Sequence, residues 1–235
     1  MTDLSEAIAT RRTPPQEVEV WLFDLDNTLY PASCRLFDQV ERRMAEFICG
    51  FLSITEEEAH ALRRQYWQEH GTTLSGLMLN HGLDPEDFLA YVHEIDLSAM
   101  RPDARLNRAL ERLPGRKLVF TNGSMRHAAR ILERLELTHH FEAVFDIAAA
   151  DYVPKPESGA YDALVRRHDV RPDRALFVED TAKNLPPAAR MGMTTLWLHH
   201  EHSRPPEAEA EAHIHHRTDD LAGWIEGLLE DRARR

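Results

Sequence analysis

The sequence has 235 residues and is 43% hydrophobic, which is enough for one α/β domain or for a core domain with a modest insertion. Its formal net charge of -12 disfavours binding to a nucleic acid polymer or to an anionic membrane surface, since both would repel it. The N-terminus has no apolar run of secretory length and no stretch approaches ~18 apolar residues, so we expect a cytoplasmic protein that does not span a membrane.

The first predicted strand ends in two acids. Residues 1–17 are polar and contain adjacent prolines, which predicts a flexible lead-in before the short apolar run Val20–Phe23. Asp24 and Asp26 follow this run, and on an extended backbone their side chains point the same way. Their charges repel unless a cation, a proton or a phosphorus centre lies between them, which is typical of metal-assisted phosphoryl transfer. Two solvated turn residues at a strand end would produce the same pattern.

The next segment has a helical pattern. Apolar residues over 36–51 recur at three- and four-residue spacing, which predicts an amphipathic helix. Thr55 opens a second helix with a capping box, and Asp84 followed by a proline opens a third. Because no convincing strand interrupts residues 34–100, we predict an inserted, all-helical cap domain over this range.

Beyond residue 100, strands and helices alternate. The predicted strands are 117–121, 143–147, 175–178 and, as the last one, 194–198, and the predicted helical segments are 103–113, 125–137, 159–168 and 184–191. This alternation predicts an α/β fold with a Rossmann-like parallel sheet flanked by helices, built from residues 18–33 and 101–235. Residues 201–217 are predicted to be an exposed linker, and Thr218 is predicted to cap a C-terminal helix over 218–232.

Polar side chains follow four of the predicted strands. The acidic pair follows the first strand, the TNG sequence at 121–123 ends the second, Lys155 follows the third, and Glu179 and Asp180 follow the fourth. Each group alone also fits an ordinary turn, a solvated charge or a helix cap. Because the carboxyl ends of parallel strands meet at one edge of a sheet, their shared position predicts a single active site.

These motifs resemble those of a known family. DLDNT, TNG, VPKP and VEDTAKN are similar to the four motifs of haloacid dehalogenase superfamily phosphohydrolases, over residues 18–199, with the helical insertion in the position of the first cap type. DLDNTLYP, HGTTLSGL and VEDTAKNL further resemble a pyrimidine 5'-nucleotidase-like branch. The resemblance implies a Mg²⁺-dependent phosphomonoesterase that acts through an aspartyl-phosphate, on a small phosphorylated substrate that is expected to be a nucleotide.

The resemblance also implies catalytic roles. Asp24 is the expected nucleophile, and Asp26 is the expected general acid and base, a role that suits a carboxylate whose pKa is raised by its acidic neighbours. A halide leaves without a proton, so an acid at Asp26 favours phosphate esters over halogenated substrates. A phosphoglucomutase-type enzyme on the same fold would need the same acid and stays an alternative.

Further residues are expected to hold the phosphoryl group and the metal. Thr121 and the N–H of Asn122 would donate to phosphoryl oxygens, Gly123 would permit close approach, and Lys155 would offset the shared negative charge. By resemblance, the Mg²⁺ ligands are the Asp24 carboxylate, the Asp26 backbone carbonyl and Asp180, with Glu179 acting directly or through water. Supporting roles are expected for Thr28, holding the Asp24 loop, and for Asn184, orienting Lys155 or a metal-bound water.

Substrate choice is expected to lie in the cap. Tyr66 and Trp67 could stack on a base while Thr72 and Thr73 donate hydrogen bonds, although both rings fit the interior of the cap at least as well. His70 and Leu77 are further candidates for contact with the base or sugar. The functional alternatives to a nucleotidase are a sugar-phosphate phosphatase and, more distantly, a non-catalytic binding protein that retains the fold.

Overall fold

The computed structural model describes residues 15–201, 203 and 205–234, so most of the predicted lead-in lies outside the described residues. Six parallel strands form one sheet in the order β3-β2-β1-β4-β5-β6. The strands are β1 Val20–Phe23, β2 Arg116–Phe120, β3 Ala143–Phe145, β4 Ala175–Glu179, β5 Thr194–Leu198 and β6 His216–Thr218. The predicted α/β fold with a Rossmann-like sheet is confirmed.

Helices lie between the strands and after the last one. Those of residues 34–100 are α1 Leu36–Leu52, α2 Glu56–His70, α3 Thr73–His81 and α4 Pro85–Val92. Those that follow are α5 Ala104–Arg112, α6 Met125–Arg134, α7 Ser158–His168, α8 Leu185–Arg190, α9 Ala208–Glu211 and α10 Leu221–Ala233. None of the helices in the described part of the chain has the length and apolar character needed to cross a bilayer.

The core has two layers of side chains, one on each face of the sheet. Trp21 and Phe23 of β1 belong to the cluster that contains residues of α5, α6 and α10, whereas Val20 and Leu22 belong to the cluster with α7 and α8. This division follows from the period-two alternation of side chains along a strand. Because both faces of β1 are covered, its four residues are all buried, as a central parallel strand requires.

Residues 34–100, called the helical segment below, contain four helices and, in the structure, no strand. The predicted caps are present: Thr55 and Glu58 form a reciprocal capping box, and Asp84 accepts a hydrogen bond from Glu86 N. Helix α3 was not predicted, although Thr72 caps it by accepting from Ser75 N. Thr72 is a usual helix-capping residue, but the polar sequence that precedes it is also typical of a loop.

The predicted linker at 201–217 is wrong in part. It contains α9, whose Ala210 is buried, and the first two residues of β6, which pairs with β5, so 194–198 is not the last strand. Thr218 is the last residue of β6 and not the helix cap, because the Asp220 side chain accepts from Gly223 N at the start of α10. A three-residue edge strand has no apolar run by which the sequence could reveal it.

Two predicted elements are shorter in the structure. Helix α6 ends at Arg134 rather than at residue 137, because Glu136 takes a left-handed conformation (φ 60°) and Leu137 N bonds back to Leu132 O. Strand β3 ends at Phe145 rather than at residue 147, where the chain turns and Ala150 N bonds to Ile147 O.

Candidate active site

The carboxyl ends of the central strands bring predicted site residues together. Asp24, Thr121 and Asp180 each lie one residue beyond the end of their strand, on β1, β2 and β4 respectively. Strand β1 lies between β2 and β4, so the chain crosses to the other half of the sheet at this point. Open parallel sheets bind ligands in the crevice at such a switch point. Sheet topology therefore brings residues that the motifs singled out to one crevice.

Lys155 is buried at the centre of this crevice, with 2% of its surface exposed. Its Nζ donates to Asp24 Oδ1 and Glu179 Oε2 at 2.7 Å each, and to the backbone oxygen of Phe120 at 2.9 Å. An ammonium group has three protons, so all three are used. Burial alone would lower the pKa of Lys155, but the carboxylates of Asp24 and Glu179 raise it above its ordinary value. The lysine therefore stays charged.

The side chain of Asn122 holds the backbone of Lys155. Its Oδ1 accepts from Lys155 N at 2.8 Å, and its Nδ2 donates to Lys155 O at 3.1 Å. This two-point contact fixes the loop that carries the ammonium group. Sequence analysis assigned a role only to the backbone N–H of Asn122, because an amide 33 residues away from its partner leaves no local signal.

The nucleophile candidate is held on both sides. Oδ1 of Asp24 accepts from Lys155, and Oδ2 accepts from the Thr28 hydroxyl at 3.1 Å. This hydrogen bond supports the expected role of Thr28 in holding the Asp24 loop. Burial and the nearby Glu179 charge raise the pKa of Asp24 to about 7 against the opposing effect of Lys155.

Three acids form a cluster that could hold a metal. Asp24, Glu179 and Asp180 each offer a carboxylate oxygen, and these atoms lie within 4.8 Å of one another. Burial, with Glu179 and Asp24 nearby, raises the pKa of Asp180 to about 9. The positive charge of Lys155 therefore does not balance the negative charge of the three carboxylates when all are ionised. Hard oxygen ligands with excess negative charge fit a divalent cation such as Mg²⁺.

Asn184 does not contact Lys155, contrary to expectation, because other groups accept all three of the lysine protons. Its Oδ1 is buried and has no partner among the described residues, while its backbone oxygen accepts from the Tyr161 hydroxyl at 2.6 Å. An unpaired buried oxygen in the turn that follows β4 and Asp180 suits a bound water. The second expected role of Asn184 stays a prediction.

Asp26 has partners that sequence analysis missed. Its Oδ1 accepts from the Tyr30 hydroxyl at 2.7 Å and from Nε2 of His127 at 2.8 Å. Burial would raise the pKa of Asp26, but His127 and Tyr30 outweigh it and lower the pKa to about 2. The expectation that acidic neighbours raise this pKa is wrong, because two donors contact the carboxylate directly.

Residues 121–123, called the phosphate loop below, face the same space. Thr121 Oγ1 accepts from Gly123 N at 2.9 Å, which leaves the hydroxyl proton for another acceptor. A Cβ added at Gly123 would lie 3.2 Å from Thr121 Oγ1 and 3.7 Å from Asp26 Oδ2. A side chain here would intrude between the hydroxyl and the carboxylate, so the position favours glycine.

Three of the cap residues predicted to bind substrate lie within the packing of the helical segment. Tyr66 is buried, and its hydroxyl pairs with Nε2 of His81 at 2.6 Å. Thr72 caps α3 by accepting from Ser75 N at 3.1 Å, and Thr73 is buried in the first turn of that helix. Their assignment to substrate stays a prediction.

A cavity of about 680 Å³ lies between α2, α3 and the loop around Lys155. Its lining includes Trp67, His70 and Met78 from the helical segment and Pro154, Pro156 and Lys183 from the core. The Nζ of Lys183 lies 3.8 Å from the centroid of the Trp67 ring, a cation–π contact across the cavity. Lys183 was not predicted as a site residue, since the residues adjacent to it in sequence give no indication of its contact with Trp67.

The chain matches one family model and several known proteins. The family model described as haloacid dehalogenase-like hydrolase matches residues 18–192. The chain is 28% identical over 198 residues to "Phosphate metabolism protein 8" of Saccharomyces cerevisiae, covering 77% of this chain and 61% of that protein. It is also 28% identical over 198 residues to a "Glyceraldehyde 3-phosphate phosphatase" of Methanopyrus kandleri, covering 76% of this chain and 83% of that protein.

The fold also matches solved structures. CbbY from Rhodobacter sphaeroides, solved in complex with phosphate, superposes with a TM-score of 0.62 at 21% identity, over 87% of this chain and 95% of that one. At this identity the likeness concerns the fold alone.

Proposed function

The chain belongs to the haloacid dehalogenase-like hydrolases, and from this premise we propose that it is a Mg²⁺-dependent phosphomonoesterase with Asp24 as the nucleophile. The observation that carries the proposal is the Asp24 carboxylate, which lies between Lys155 and Thr28 at the end of the central strand. Asp26, two residues on, supplies the second carboxyl group that a phosphate ester needs and that a halide does not.

The chemistry divides one hydrolysis into two steps. An Asp24 oxygen bonds to phosphorus, the ester oxygen leaves with its electron pair, and that oxygen takes a proton from Asp26. A water then gives a proton to Asp26 and attacks phosphorus, which breaks the bond to Asp24 and releases phosphate. A phosphate dianion beside Asp26 opposes its ionisation, so substrate binding raises its pKa from the low value of the free site.

The other site residues bind and orient. The donors of the phosphate loop, the Thr121 hydroxyl and the Asn122 N–H, hold phosphoryl oxygens in place for in-line attack. Lys155 keeps its protons on its present acceptors and offsets the negative charge that Asp24 and the phosphoryl group share. Asp24, Asp180 and the Asp26 backbone carbonyl would hold Mg²⁺, and Glu179 completes the acidic cluster. When bound, the cation supplies positive charge that offsets the charge of the phosphoryl group.

The helical segment at residues 34–100 acts in this proposal as the cap over the site. Two contacts support it: the cation–π pair between Trp67 and Lys183, and a hydrogen bond from the Tyr152 hydroxyl to Glu86. Both join the helical segment to loops of the sheet domain, and Trp67, Tyr152 and Lys183 also line the cavity beside the loop that carries Lys155.

Nucleoside monophosphates are the first substrate class to test, because DLDNTLYP, HGTTLSGL and VEDTAKNL resemble the pyrimidine 5'-nucleotidase-like branch. Sugar phosphates are the second. Two observations favour them: Tyr66, one of the two rings expected to stack on a base, is buried, and one relative is a glyceraldehyde 3-phosphate phosphatase.

The decisive experiment measures phosphate release from p-nitrophenyl phosphate by the purified chain, with Mg²⁺ and with EDTA. We expect Mg²⁺-dependent release that Asp24→Asn abolishes, because an amide is a poor nucleophile toward phosphorus. Asp162→Asn, an exposed change on α7, is the matched control and should retain activity. An inert wild-type chain would favour the non-catalytic alternative.

The same assay on a panel of esters separates the substrate classes. Preference for UMP or CMP supports the nucleotidase, whereas equal or better turnover of sugar phosphates removes that assignment and leaves the phosphomonoesterase intact. Transfer of phosphate to a sugar rather than to water would identify the mutase alternative.

A further inference from the structure

The Asp26 carboxylate is held through one of its two oxygens. Oδ1 accepts from the Tyr30 hydroxyl at 2.7 Å and from Nε2 of His127 at 2.8 Å. An ionised carboxylate only accepts, so both groups donate to the same atom. Within the described part of the chain, Oδ2 takes no hydrogen bond. Two donors on one oxygen fix the rotation of the carboxylate and leave the other oxygen available.

The available oxygen faces the phosphate loop. Asp26 Oδ2 lies 3.7 Å from the point that a Cβ on Gly123 would occupy, and Thr121 Oγ1 lies 3.2 Å from the same point. The side chain of Asp26 is 22% exposed, whereas that of His127 is 4% exposed. The histidine therefore contacts Asp26 from the interior side, and Oδ2 is the oxygen that a ligand in the crevice can meet.

The His127 ring is itself fixed. It stacks on the His93 ring with centroids 4.2 Å apart and planes 16° from parallel. Nδ1 of His93 pairs with Ser124 Oγ at 2.9 Å, and the same hydroxyl oxygen accepts from His127 N as the cap of α6. His93 follows α4, and its backbone oxygen accepts from Arg130 at 2.8 Å. The helical segment thus supports the ring that contacts Asp26.

We propose that His127 and Tyr30 are positioning residues that orient the Asp26 carboxylate so that Oδ2 reaches the leaving oxygen of a phosphate ester. The inference rests on the proposed phosphomonoesterase. A carboxylate free to rotate presents its oxygen to the ester only part of the time, and poor alignment weakens proton transfer. In this proposal His127 and Tyr30 act through Asp26 and are not themselves catalytic residues.

The test uses the leaving group as the readout. An alcohol needs a proton as it departs, whereas p-nitrophenolate is stable without one, so only the alkyl ester depends strongly on an oriented acid. The value of kcat/KM reports events up to cleavage of the ester bond, so it is measured for p-nitrophenyl phosphate and for β-glycerophosphate. A residue that merely supports the fold would affect both esters alike.

Tyr30→Phe removes one hydroxyl and keeps the buried ring, and His127→Leu removes the Nε2 donor. We expect each variant to lose at least ~10-fold more kcat/KM on the alkyl ester than on the aryl ester, part of the 10²–10⁴-fold effect typical of general acid catalysis. His127→Gln places an amide donor near the position of Nε2 and should restore most of the loss. Thermal melting of each variant verifies that it is folded.

Tyr91→Phe is the matched control, because it deletes a hydroxyl that contacts Glu46 on the outer part of the helical segment. It should change neither ester. Parallel loss on both esters in Tyr30→Phe and His127→Leu, or no loss on the alkyl ester, would overturn the inference while leaving the phosphomonoesterase intact. A wild-type chain inactive on both esters would overturn the two together.

Discussion

Two buried carboxylates share one ammonium group in the interior of this protein. The side chains of Asp24, Glu179 and Lys155 are 9%, 2% and 1% exposed, and each acid lies 2.7 Å from the lysine Nζ. In such surroundings an unpaired charge costs several kcal/mol, so each partner depends on the other. The electrostatic balance of the site therefore depends on a single residue.

Replacement of this lysine should destabilise the fold as well as the site. Lys155→Met leaves two buried acids without their cation, and we expect a loss of about 3–5 kcal/mol in the free energy of unfolding, measured by urea denaturation. Lys117→Met is the control, since its Nζ makes only a 3.4 Å contact with Gly115 O, and should stay within about 1 kcal/mol. Equal losses in the two variants would contradict this account.

At the scale of elements, the helical segment depends on the close approach of α2 and α3. A Cβ added to Gly76 of α3 would lie 2.2 Å from Cγ and 2.5 Å from Cβ of Tyr66 on α2. Both atoms lie close to the backbone in a buried side chain whose hydroxyl is hydrogen-bonded to His81, so neither can move aside easily. Glycine at this position permits the packing that makes the two helices one unit.

Gly76→Ala should therefore destabilise the protein by about 1–3 kcal/mol, the usual cost of overpacking, although alanine is the better helix former. Gly50→Ala in α1 is the matched control. A Cβ there meets nothing within 4 Å, so the same change should stabilise by about 0.5–1 kcal/mol. Urea denaturation of both variants measures the difference, and the same sign for both would refute the packing argument.

At the scale of the whole molecule, the candidate active site lies within a chain of net charge -12. The cluster of Asp24, Glu179 and Asp180 adds local repulsion that is greatest in the folded state, where the three acids come together. The pKa values of Asp24 and Asp180 are raised to about 7 and about 9 by burial and by this repulsion. A divalent cation that binds the cluster would relieve the repulsion in the folded state only.

Mg²⁺ should therefore stabilise the EDTA-treated protein. A ligand at 100 times its Kd adds about 2.7 kcal/mol, which corresponds to about 5–10 °C in Tm for a chain of this size. Differential scanning fluorimetry measures the shift, with NaCl at matched ionic strength to separate binding from screening. Asp180→Asn should lose most of the shift. An equal shift with NaCl, or an undiminished shift in the variant, would count against a specific cation site.

The sequence by itself determined the features that depend on neighbouring residues. Val20–Phe23 could be predicted as a buried strand from its apolar run, and Thr55 as a helix cap from the acid three residues later. Alternating strands and helices then predicted a parallel sheet, and the polar residues at strand ends predicted where the site lies. These features depend on residues close together in the chain or on the order of the elements, and both can be read from the sequence.

Only the tertiary structure decided which side chains meet. The contact of His127 with Asp26 joins residues 101 apart in the chain, and the clamp of Asn122 on Lys155 joins residues 33 apart. The same holds for the pairing of the edge strand β6 with β5. It also holds for the burial of Tyr66, which depends on the packing of α3 against α2. Such contacts result from packing many elements at once, and no spacing within a short stretch of sequence records them. For that reason the sequence predicted the positions of the candidate catalytic groups, whereas the contacts of Tyr30 and His127 with Asp26 had to be read from the fold.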